Sequence, residues 1–338
     1  MVHASAPGRG GIIGNPSDIY GGTVVSCSIT ERAEAIIAGS PRLIFDIYGH
    51  FAEINSPEDL EFSPELHFLD VAKAAWRHLR QSEYVERGLI DPNATFHVRA
   101  QSSIPLRAGC AGSTAMLVTI LAGVLKYLEV PVERHELAEL ARRVERHELG
   151  VACGYQDHYM VIFGGCNCVD LRDKQDHGEG PGVPYATVEP LTDDVDCLPF
   201  ILANTGLQRH SGGFHAEPRR QWENGDERRH AGFARIGELG RLGKKALLQA
   251  NWPLLGELMN ENHALTSELA GCGEANEHLI GVARRHGALG AKLSGAGRGG
   301  TIVALHEDPD WMGERLLDEG AERLIRLCPA PGLTVRRM

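Results

Sequence analysis

A stretch of small residues precedes the most apolar helix that the sequence predicts. Gly109-Cys110-Ala111-Gly112-Ser113-Thr114-Ala115 leads into a helix expected over 113–128. The first backbone N–H groups of a helix have no partner inside it, and the helix dipole favours negative charge there. The segment could therefore bind a phosphate, with Ser113 or Thr114 offering a hydroxyl to the phosphate or to Mg²⁺. A plain Gly-Ser helix cap is the alternative, and the Gly-Lys-[Ser/Thr] ending of a P-loop is missing.

A second glycine cluster lies near the other end of the chain. Gly295, Gly297 and Gly300 match the G-x-G-x-x-G pattern of dinucleotide-binding proteins. That interpretation requires a helix directly after the glycines, whereas here a strand follows at once. We therefore reject a dinucleotide site and expect a strand, a glycine loop and a strand over 289–305. Such a loop places bare backbone against another element or a ligand, and a simple glycine hairpin is the alternative.

Two carboxylates, Glu145 and Asp157, lie twelve residues apart. Glu145 falls late in an amphipathic helix expected over 132–148, where a solvated position is the ordinary interpretation. Asp157 stands between Gly154 and a run of large apolar residues over 159–163. Its carboxylate is therefore expected to be partly buried and to need a polar partner, unless it only caps a helix.

Composition and charge exclude several classes of protein. The chain has 338 residues, of which 43% are hydrophobic and 23% charged, values that argue against a disordered chain, a collagen or a coiled coil. This length favours two domains or one large composite. With 34 basic and 45 acidic residues the net charge is −11, and no basic cluster supports nucleic-acid binding. The longest apolar run, about 116–124, is too short to cross a membrane. We expect neither a nucleic-acid nor a membrane partner.

The cysteines indicate the redox state of the protein. There are eight, at positions 27, 110, 153, 166, 168, 197, 272 and 328. They do not form a dense disulfide framework, and no signal peptide is evident. The only close pair, Cys166-Asn-Cys168, lacks a metal spacing such as C-x₂-C. We therefore expect reduced thiols in a cytoplasmic protein.

Periodicity and turn residues predict mixed helices and strands without strict alternation, which favours the α+β class. The segment 6–22 is expected to be a loop, and a Pro- and Gly-rich connection at 173–184 suggests a domain boundary. The segment 210–229 is expected to be a mobile loop that runs into a helix. Strands are predicted at 23–29, 33–38, 41–48, 95–100, 161–171, 200–204 and 333–336. Helices are predicted at 66–79, 113–128, 132–148, 231–250, 252–260, 274–286 and 309–327.

Taken in order, three of these segments resemble the motifs of the GHMP kinases, the family of galactokinase, homoserine kinase, mevalonate kinase and phosphomevalonate kinase. Ala6-Pro-Gly-Arg9 through Gly14 resembles the first motif, residues 105–115 the second, phosphate-binding motif, and residues 295–300 the third. The resemblance extends over nearly the whole chain. It implies a two-domain α+β fold, with an N-terminal ribosomal-protein-S5-domain-2-like domain over 1–185 and a ferredoxin-like C-terminal domain over 186–338.

Three finer features resemble plant-type glucuronokinases, which phosphorylate the anomeric hydroxyl of glucuronic acid. Gly14-Asn-Pro-Ser-Asp18 replaces the Gly-Glu-His-Thr-Asp of galactokinases, and Cys-Ala precedes Gly112-Ser113 in place of the common Gly-Leu. Ser211-Gly-Gly-Phe-His215 leads to Trp222 and Gly225-Asp226. The resemblance implies a kinase of a uronic acid that uses ATP and Mg²⁺. The alternatives are a kinase of a neutral sugar (galactose, fucose or heptose), a sugar sensor without turnover, and a lyase resembling mevalonate diphosphate decarboxylase.

The resemblance also implies roles for individual residues. Asp157 would orient or deprotonate the sugar hydroxyl, and Arg9 would keep Asp157 ionised and face the transferring phosphoryl group. Glu145 and Ser113 would be the ligands of Mg²⁺. The residues expected to bind ATP are Gly109, Ala111, Gly112, Ser113, Thr114, Gly295 and Gly297. Those expected to bind the sugar are Asn15, Asp18, Tyr20, Gly154, Arg219 and Arg220.

A uronate carries a carboxylate that must lose water in the pocket, and arginine is its best partner. Five arginines lie in or beside the 210–229 segment, at 209, 219, 220, 228 and 229. Arg219 and Arg220 are the preferred candidates because they follow the glucuronokinase-like 211–215 stretch directly. Solvated loop charges are the alternative. We expect a sugar and ATP as ligands, and a monomer or homodimer.

Overall fold

The computed structural model describes residues 1–63, 67–105, 108–174, 182–191, 197–207, 216–295, 297 and 299–338. The strands in these ranges are β1 (Val2–Ile13), β2 (Thr23–Gly39), β3 (Leu43–Ile47), β4 (His50–Ile54), β5 (Phe96–Ser102), β6 (Cys166–Asp170), β7 (Thr187–Pro190), β8 (Phe200–Asn204), β9 (Gly290–Leu293), β10 (Thr301–Leu305), β11 (Arg323–Arg326) and β12 (Thr334–Arg337). The helices are α1 (Phe68–Leu79), α2 (Glu83–Glu86), α3 (Gly112–Tyr127), α4 (Arg134–Arg143), α5 (Gln156–Phe163), α6 (Ala216–Glu223), α7 (Glu227–Leu248), α8 (Trp252–Ala270), α9 (Glu274–Arg285) and α10 (Pro309–Asp318). Short 3₁₀ turns cover Ser17–Tyr20 and Pro57–Leu60, and a π turn covers Val144–Glu148.

The larger sheet is organised around β2, a strand of 17 residues. β1 pairs antiparallel with β2 along its length, while β6 and β5 take successive halves of its other edge. β12 lies outside β1, β7 outside β6, and β3 runs parallel to β5 with β4 beyond it. Helix α3 packs on β1 and β2 and is buried without interruption from Thr114 to Leu125. A helix that is apolar all round belongs in such an interior position.

The smaller sheet has the order β11-β8-β10-β9, all antiparallel. Counted along the chain its strands follow the order 4-1-3-2, with α6 to α9 before the second strand and α10 before the fourth. This is the ferredoxin-like arrangement, so the α+β class and the two-domain fold expected from the sequence are confirmed. Both faces of β8 are covered: Ile201 and Ala203 pack with α9 and α10, while Phe200 and Leu202 join the main core.

The expected loop over 6–22 is wrong as far as Ile13, because those residues form β1. Its glycines sit inside a strand with two register shifts. A Cβ on Gly8 would lie 2.7 Å from the carbonyl oxygen of Cys110, and one on Gly11 would lie 2.6 Å from that of Ser294. The glycines therefore allow close approach of other elements rather than a turn.

Other expected elements differ in type or length. The two strands predicted over 23–38 are one strand, and the helix expected over 252–260 continues to Ala270. Residues 156–163 form α5 rather than the start of the predicted 161–171 strand, because a wholly buried apolar run has no period that separates helix from strand. The helix predicted over 309–327 ends at Asp318, since 323–326 pairs with β8 as an edge strand.

Two strands that follow residue 185 belong to the larger sheet: β7 pairs with β6, and β12 pairs with β1. The division at 185 and 186 stays a prediction. The expectation of reduced thiols is wrong for one pair, because Cys197 and Cys328 form a disulfide. Their Cα atoms lie 4.3 Å apart although 131 residues separate them in sequence, a proximity that spacing cannot reveal. Within the described ranges, no helix has the length and apolar content needed to cross a membrane.

Gly240 provides a test of the packing of α7 on the larger sheet. Gly240→Ala should lower the free energy of unfolding by about 1–3 kcal/mol, as overpacking does in a close-packed interior. The reason is that its Cβ would lie 2.0 Å from the carbonyl oxygen of Thr23. Chemical denaturation measures the change.

The matched control is Gly281→Ala in α9. A Cβ there would meet only the end of the Arg285 side chain, at 3.3 Å. Because alanine is the better helix former, this variant should be neutral or gain up to about 1 kcal/mol. Equal effects of the two substitutions would contradict the packing described for α7.

Candidate active site

The small-residue loop before α3 is held by both sheets. Ala111 and Gly109 adopt left-handed backbone conformations, with φ of 61° and 75°. The Arg9 backbone N–H in β1 donates to the Cys110 carbonyl at 3.0 Å, and the Thr301 hydroxyl in β10 donates to the Ala108 carbonyl at 2.7 Å. The N-terminus of α3 therefore opens onto the cleft between the two sheets, where its first-turn N–H groups can meet a ligand.

The first and third glycine-rich segments meet directly. The Gly11 N–H donates to the Ser294 hydroxyl at 3.0 Å, and the Asn15 side-chain amide donates to the Ser294 carbonyl at 3.2 Å. Lys292 in β9 donates to the Asn15 side-chain oxygen at 2.6 Å. Side-chain hydrogen bonds thus connect segments that lie almost 280 residues apart in sequence, and each segment helps to position the backbone of the other.

Arg9 and Asp157 form an ion pair beside the α3 loop. Arg9 Nε donates to Asp157 Oδ1 at 2.8 Å, and Arg9 Nη2 contacts the same oxygen. Arg9 Nη1 donates to the Gly109 carbonyl, which ties the pair to the loop. The Arg9 side chain is 7% exposed and that of Asp157 is 31% exposed, so the carboxylate keeps a face toward the cleft. Charge-assisted bonds of this kind are about twice as strong as neutral ones.

Asp18 caps the helix that carries Asp157. Asp18 Oδ2 accepts the backbone N–H of Tyr155 at 2.9 Å and that of Gln156 at 3.1 Å. Burial raises the pKa of the Asp18 carboxyl, and the neighbouring Asp157 charge also raises it, against the lowering effect of the two N–H donors. A Cβ on Gly154 would lie 1.9 Å from Asp18 Oδ2, so this position requires glycine. Asp18 and Asp157 are thereby placed on one wall.

Glu145 lies in the π turn that ends α4, an irregularity that is frequent at functional sites. The residue is 4% exposed, so it is not on a solvated helix face. Glu145 Oε1 accepts the Thr114 hydroxyl at 3.0 Å, and Oε2 lies 2.9 Å from His158 Nε2. Ser113, the expected partner of Glu145, is exposed in the first turn of α3. Sequence reasoning missed His158, whose signal was a lone imidazole next to Asp157 in an apolar run.

These groups line one cavity of about 190 Å³. The predicted site residues that it brings together are Arg9, Asn15, Asp18, Gly109, Ala111, Gly112, Ser113, Thr114, Glu145, Gly154, Asp157 and Gly295. Tyr20, Gly297, Arg219 and Arg220 are not among its lining residues in the described part of the chain. The carboxylates, the guanidinium and the helix N-terminus face a common space, which is what transfer of an anionic group requires.

The remaining predicted residues lie around the cavity. Tyr20 stacks on Phe233 with ring centroids 3.8 Å apart and contacts Trp222 of α6 at 5.4 Å. Burial raises the pKa of the Tyr20 hydroxyl, while the charges of Arg229 and Arg219 lower it, which places both arginines close to this ring. Arg220 is 69% exposed and pairs with Glu217. Arg209 and the 211–215 stretch lie outside the described residues.

Comparison with known families decides what this arrangement is. Residues 70–165 match the family described as GHMP kinases N terminal domain, and residues 244–311 match the one described as GHMP kinases C terminal. The chain belongs to the GHMP kinases. The family recognised from the sequence is thereby confirmed, and the protein is a kinase.

Individual proteins extend this comparison. Probable glucuronokinase 2 of Arabidopsis thaliana is 28% identical over 92% of this chain and 86% of its own. The galactokinase of Lactococcus lactis, solved with galactose, superposes with a TM-score of 0.77 at 19% identity, over 98% of this chain and 95% of its own. The phosphomevalonate kinase of Streptococcus pneumoniae, solved with phosphomevalonate and AMPPNP, gives a TM-score of 0.77 at 16% identity. The match covers 96% of this chain and 100% of its own. At these identities the two structures establish the fold of this GHMP kinase and nothing finer.

Lys292 is a buried residue of this GHMP kinase that contacts the cavity residue Asn15. It is 1% exposed, and besides Asn15 its ammonium donates to the Leu293 carbonyl at 2.5 Å. Burial, together with the nearby Arg9 charge, lowers the pKa of Lys292 to about 7. Between that value and the ordinary 10.5, the unfolded chain binds a proton at this position that the folded protein does not. Stability from this group therefore rises with pH in that window.

Lys292→Met tests this. The free energy of unfolding of the wild type minus that of the variant should be constant below about pH 7 and should rise above it, with a limiting slope of about 1.4 kcal/mol per pH unit. Urea denaturation from pH 6 to pH 9 measures the difference. Lys126→Met, at an exposed lysine in the last turn of α3, is the matched control. A flat or falling difference above pH 7 would mean that Lys292 does not titrate there.

Proposed function

We propose that the protein transfers the γ-phosphoryl group of ATP to the anomeric hydroxyl of a uronic acid, with Mg²⁺ as cofactor. The observation that carries the proposal is the Arg9–Asp157 ion pair, held in the same cavity as the N-terminus of α3. An ionised carboxylate beside a guanidinium and a helix N-terminus suits the transfer of a phosphoryl group to a hydroxyl.

The phosphates of ATP would lie against the N-terminus of α3. Gly112, Ser113 and Thr114 line the cavity there, and their backbone N–H groups together with the helix dipole attract anions. Gly109 and Gly295 line the same space from two directions. Their lack of side chains lets phosphates approach the backbone closely.

The residues beside these phosphates fit Mg²⁺. Glu145 offers a carboxylate, and Ser113 and Thr114 offer hydroxyls, which are the oxygen ligands that Mg²⁺ prefers. Glu145 would hold the ion with the hydroxyl of Ser113 or of Thr114. When bound, Mg²⁺ supplies neutralisation of the negative charge on the phosphates. The Thr114 hydroxyl donates to one oxygen of the Glu145 carboxylate, and His158 Nε2 lies 2.9 Å from the other.

The chain's own residues then account for the acceptor side. The exposed part of the Asp157 carboxylate would accept the proton of the sugar hydroxyl, and Arg9 would hold that carboxylate in place. The same guanidinium would stabilise negative charge on the transferring phosphoryl group. Asp18, buried on the wall beside Asp157, would bind another sugar hydroxyl with the carboxylate oxygen that does not cap α5.

Two observations bear on the choice of sugar. The uronate is supported by the glucuronokinase-like motif features and by the relative that is 28% identical. Arg219, which lies near Tyr20 and is 16% exposed, is better placed than the outward-facing Arg220 to bind its carboxylate. A neutral sugar is the second candidate, because Arg9 is the only arginine or lysine among the described lining residues and is already paired. The ordered Arg9, Asp157 and Glu145 argue against a sensor without turnover.

Asp157→Asn tests the chemical role. Phosphoryl transfer should fall by about 10²–10⁴-fold, because the amide cannot accept the hydroxyl proton. Nucleotide affinity should survive, since the α3 loop is untouched. Turnover is measured by ADP release and nucleotide binding by calorimetry.

The matched control is Asp46→Asn, which removes the carboxylate of a surface pair with Arg99. That variant should keep its activity. Turnover of Asp157→Asn within twofold of wild type would refute the assignment of Asp157.

Arg219→Ala and Arg220→Ala form a matched pair for the substrate. ADP release should first be measured across uronic acids and neutral monosaccharides. If Arg219 binds the carboxylate, Arg219→Ala should raise KM for glucuronate by roughly 10- to 100-fold, the value of a charge-assisted bond, and leave the neutral hexose unaffected. Arg220→Ala should change neither. A wild type that prefers glucose or galactose would replace the uronate proposal by the neutral-sugar kinase.

A further inference from the structure

Three side chains able to bind a metal converge where α8 gives way to α9, outside the cavity. His263 lies in α8, Cys272 in the connection, and Glu277 in the first turn of α9. One ligand atom of each lies within 4.8 Å of those of the other two. The intervals between them match no standard sequence motif, so the fold alone brings them together.

The side chains of this group contact one another through the atoms that could bind a cation. Glu277 Oε2 lies 3.2 Å from His263 Nε2, and Glu277 Oε1 accepts the Ser267 hydroxyl at 2.7 Å. The Cys272 thiol also hydrogen-bonds to the Glu277 carboxylate. A bound metal takes the lone pair of a neutral imidazole nitrogen and replaces the proton of a thiol.

Burial makes the group a site with one open side. His263 and Cys272 are each 3% exposed, whereas the Glu277 side chain is 45% exposed. A metal could therefore enter past Glu277, and water could fill a remaining position. His263 Nδ1 is buried and has no hydrogen-bond partner within the described ranges, which costs free energy for a polar atom.

The donor set selects the metal. One thiolate, one imidazole and one carboxylate together carry two negative charges, which a divalent ion neutralises. Mixed sulfur, nitrogen and oxygen donors suit Zn²⁺, which accepts four ligands, whereas Mg²⁺ and Ca²⁺ require oxygen. We propose that His263, Cys272 and Glu277 bind a zinc ion, with water in the fourth position.

Zinc at this position would stabilise the connection between α8 and α9, which contacts the third motif. The Asn276 side-chain amide donates to the Cys272 carbonyl at 3.1 Å and to the Gly299 carbonyl at 3.0 Å. A Cβ on Gly297 would lie 3.0 Å from the same Cys272 carbonyl, so the glycine loop rests on this connection. A metal bound there would lie behind the loop, apart from the residues that line the cavity.

The test uses the full chain, freed of metal and kept anaerobic, with Mg²⁺ in excess. Zinc affinity is measured by competition with a chromophoric chelator, and Co²⁺ is titrated separately to observe its thiolate charge-transfer absorbance. Wild type should bind one zinc ion and should gain thermal stability from it. Cys272→Ser should lose the cobalt–thiolate absorbance, and both Cys272→Ser and Glu277→Gln should bind zinc at least roughly 10- to 100-fold more weakly.

Cys153→Ser is the matched control, because Glu145, Cys153 and His158 form a comparable group in the cavity. It should keep the absorbance and the affinity. Glu277→Gln alters a half-exposed helix position, so it tests the proposal even if Cys272→Ser fails to fold. No zinc binding by the wild type, unchanged affinity in Glu277→Gln, or loss of the absorbance in Cys153→Ser would each overturn the proposal. None of these readouts depends on which sugar the kinase phosphorylates.

Discussion

The Arg9 guanidinium is the group on which the arrangement of the site depends. It bonds to the Asp157 carboxylate on α5 and to the Gly109 carbonyl in the loop before α3, while its own backbone N–H binds the Cys110 carbonyl. One residue of β1 thereby sets the distance between the proposed base and the proposed phosphate site. A nearly buried charge of this kind needs to have its donors satisfied. The two partners that satisfy Arg9 are the two halves of the proposed reaction centre.

Two charged residues at the cleft, Arg9 and Asp157, each lie near a group of the same sign whose pKa is shifted toward its uncharged form. Behind Arg9 lies Lys292, whose pKa is lowered to about 7 by burial and by Arg9, so the two cations need not both be charged at neutral pH. Beside Asp157, the pKa of Asp18 is raised by burial and by the Asp157 charge, which reduces repulsion between those two carboxyls. In each pair of like groups, the pKa shift favours the uncharged form of one partner. Such pairs of opposed shifts are typical of sites that move protons and anions.

Local pattern was enough for the elements whose periodicity is strong. The helix at α3 and the strand at β8 were predicted within a residue or two, because a fully apolar helix and a short apolar run between turns each have few other solutions. The carboxylates Glu145 and Asp157 and the loop before α3 were found from residue type and position. They line one cavity because α3 and α5 pack on β1 and on each other, and α4, which leads into the π turn of Glu145, packs against both helices.

What the sequence could not show depends on contacts between distant segments. His158 is recognisable as a partner of Glu145 only once α5 packs beside the π turn, and Thr114 rather than Ser113 faces Glu145 because of where α3 begins. The Cys197–Cys328 bond likewise depends on β8 and β11 lying side by side.

The glycines of β1 are another case in which contacts between distant segments could not be predicted from the sequence. The sequence predicted a loop there because glycine usually gives the backbone conformational freedom. In this kinase these glycines instead let other segments of the chain approach β1 closely. The carbonyls of Cys110 and Ser294 occupy the space in which side chains at positions 8 and 11 would lie. The second and third motifs are therefore brought against the first by the absence of side chains along one strand. It follows that the three motifs form one packing unit, in which a change to any one would displace the other two.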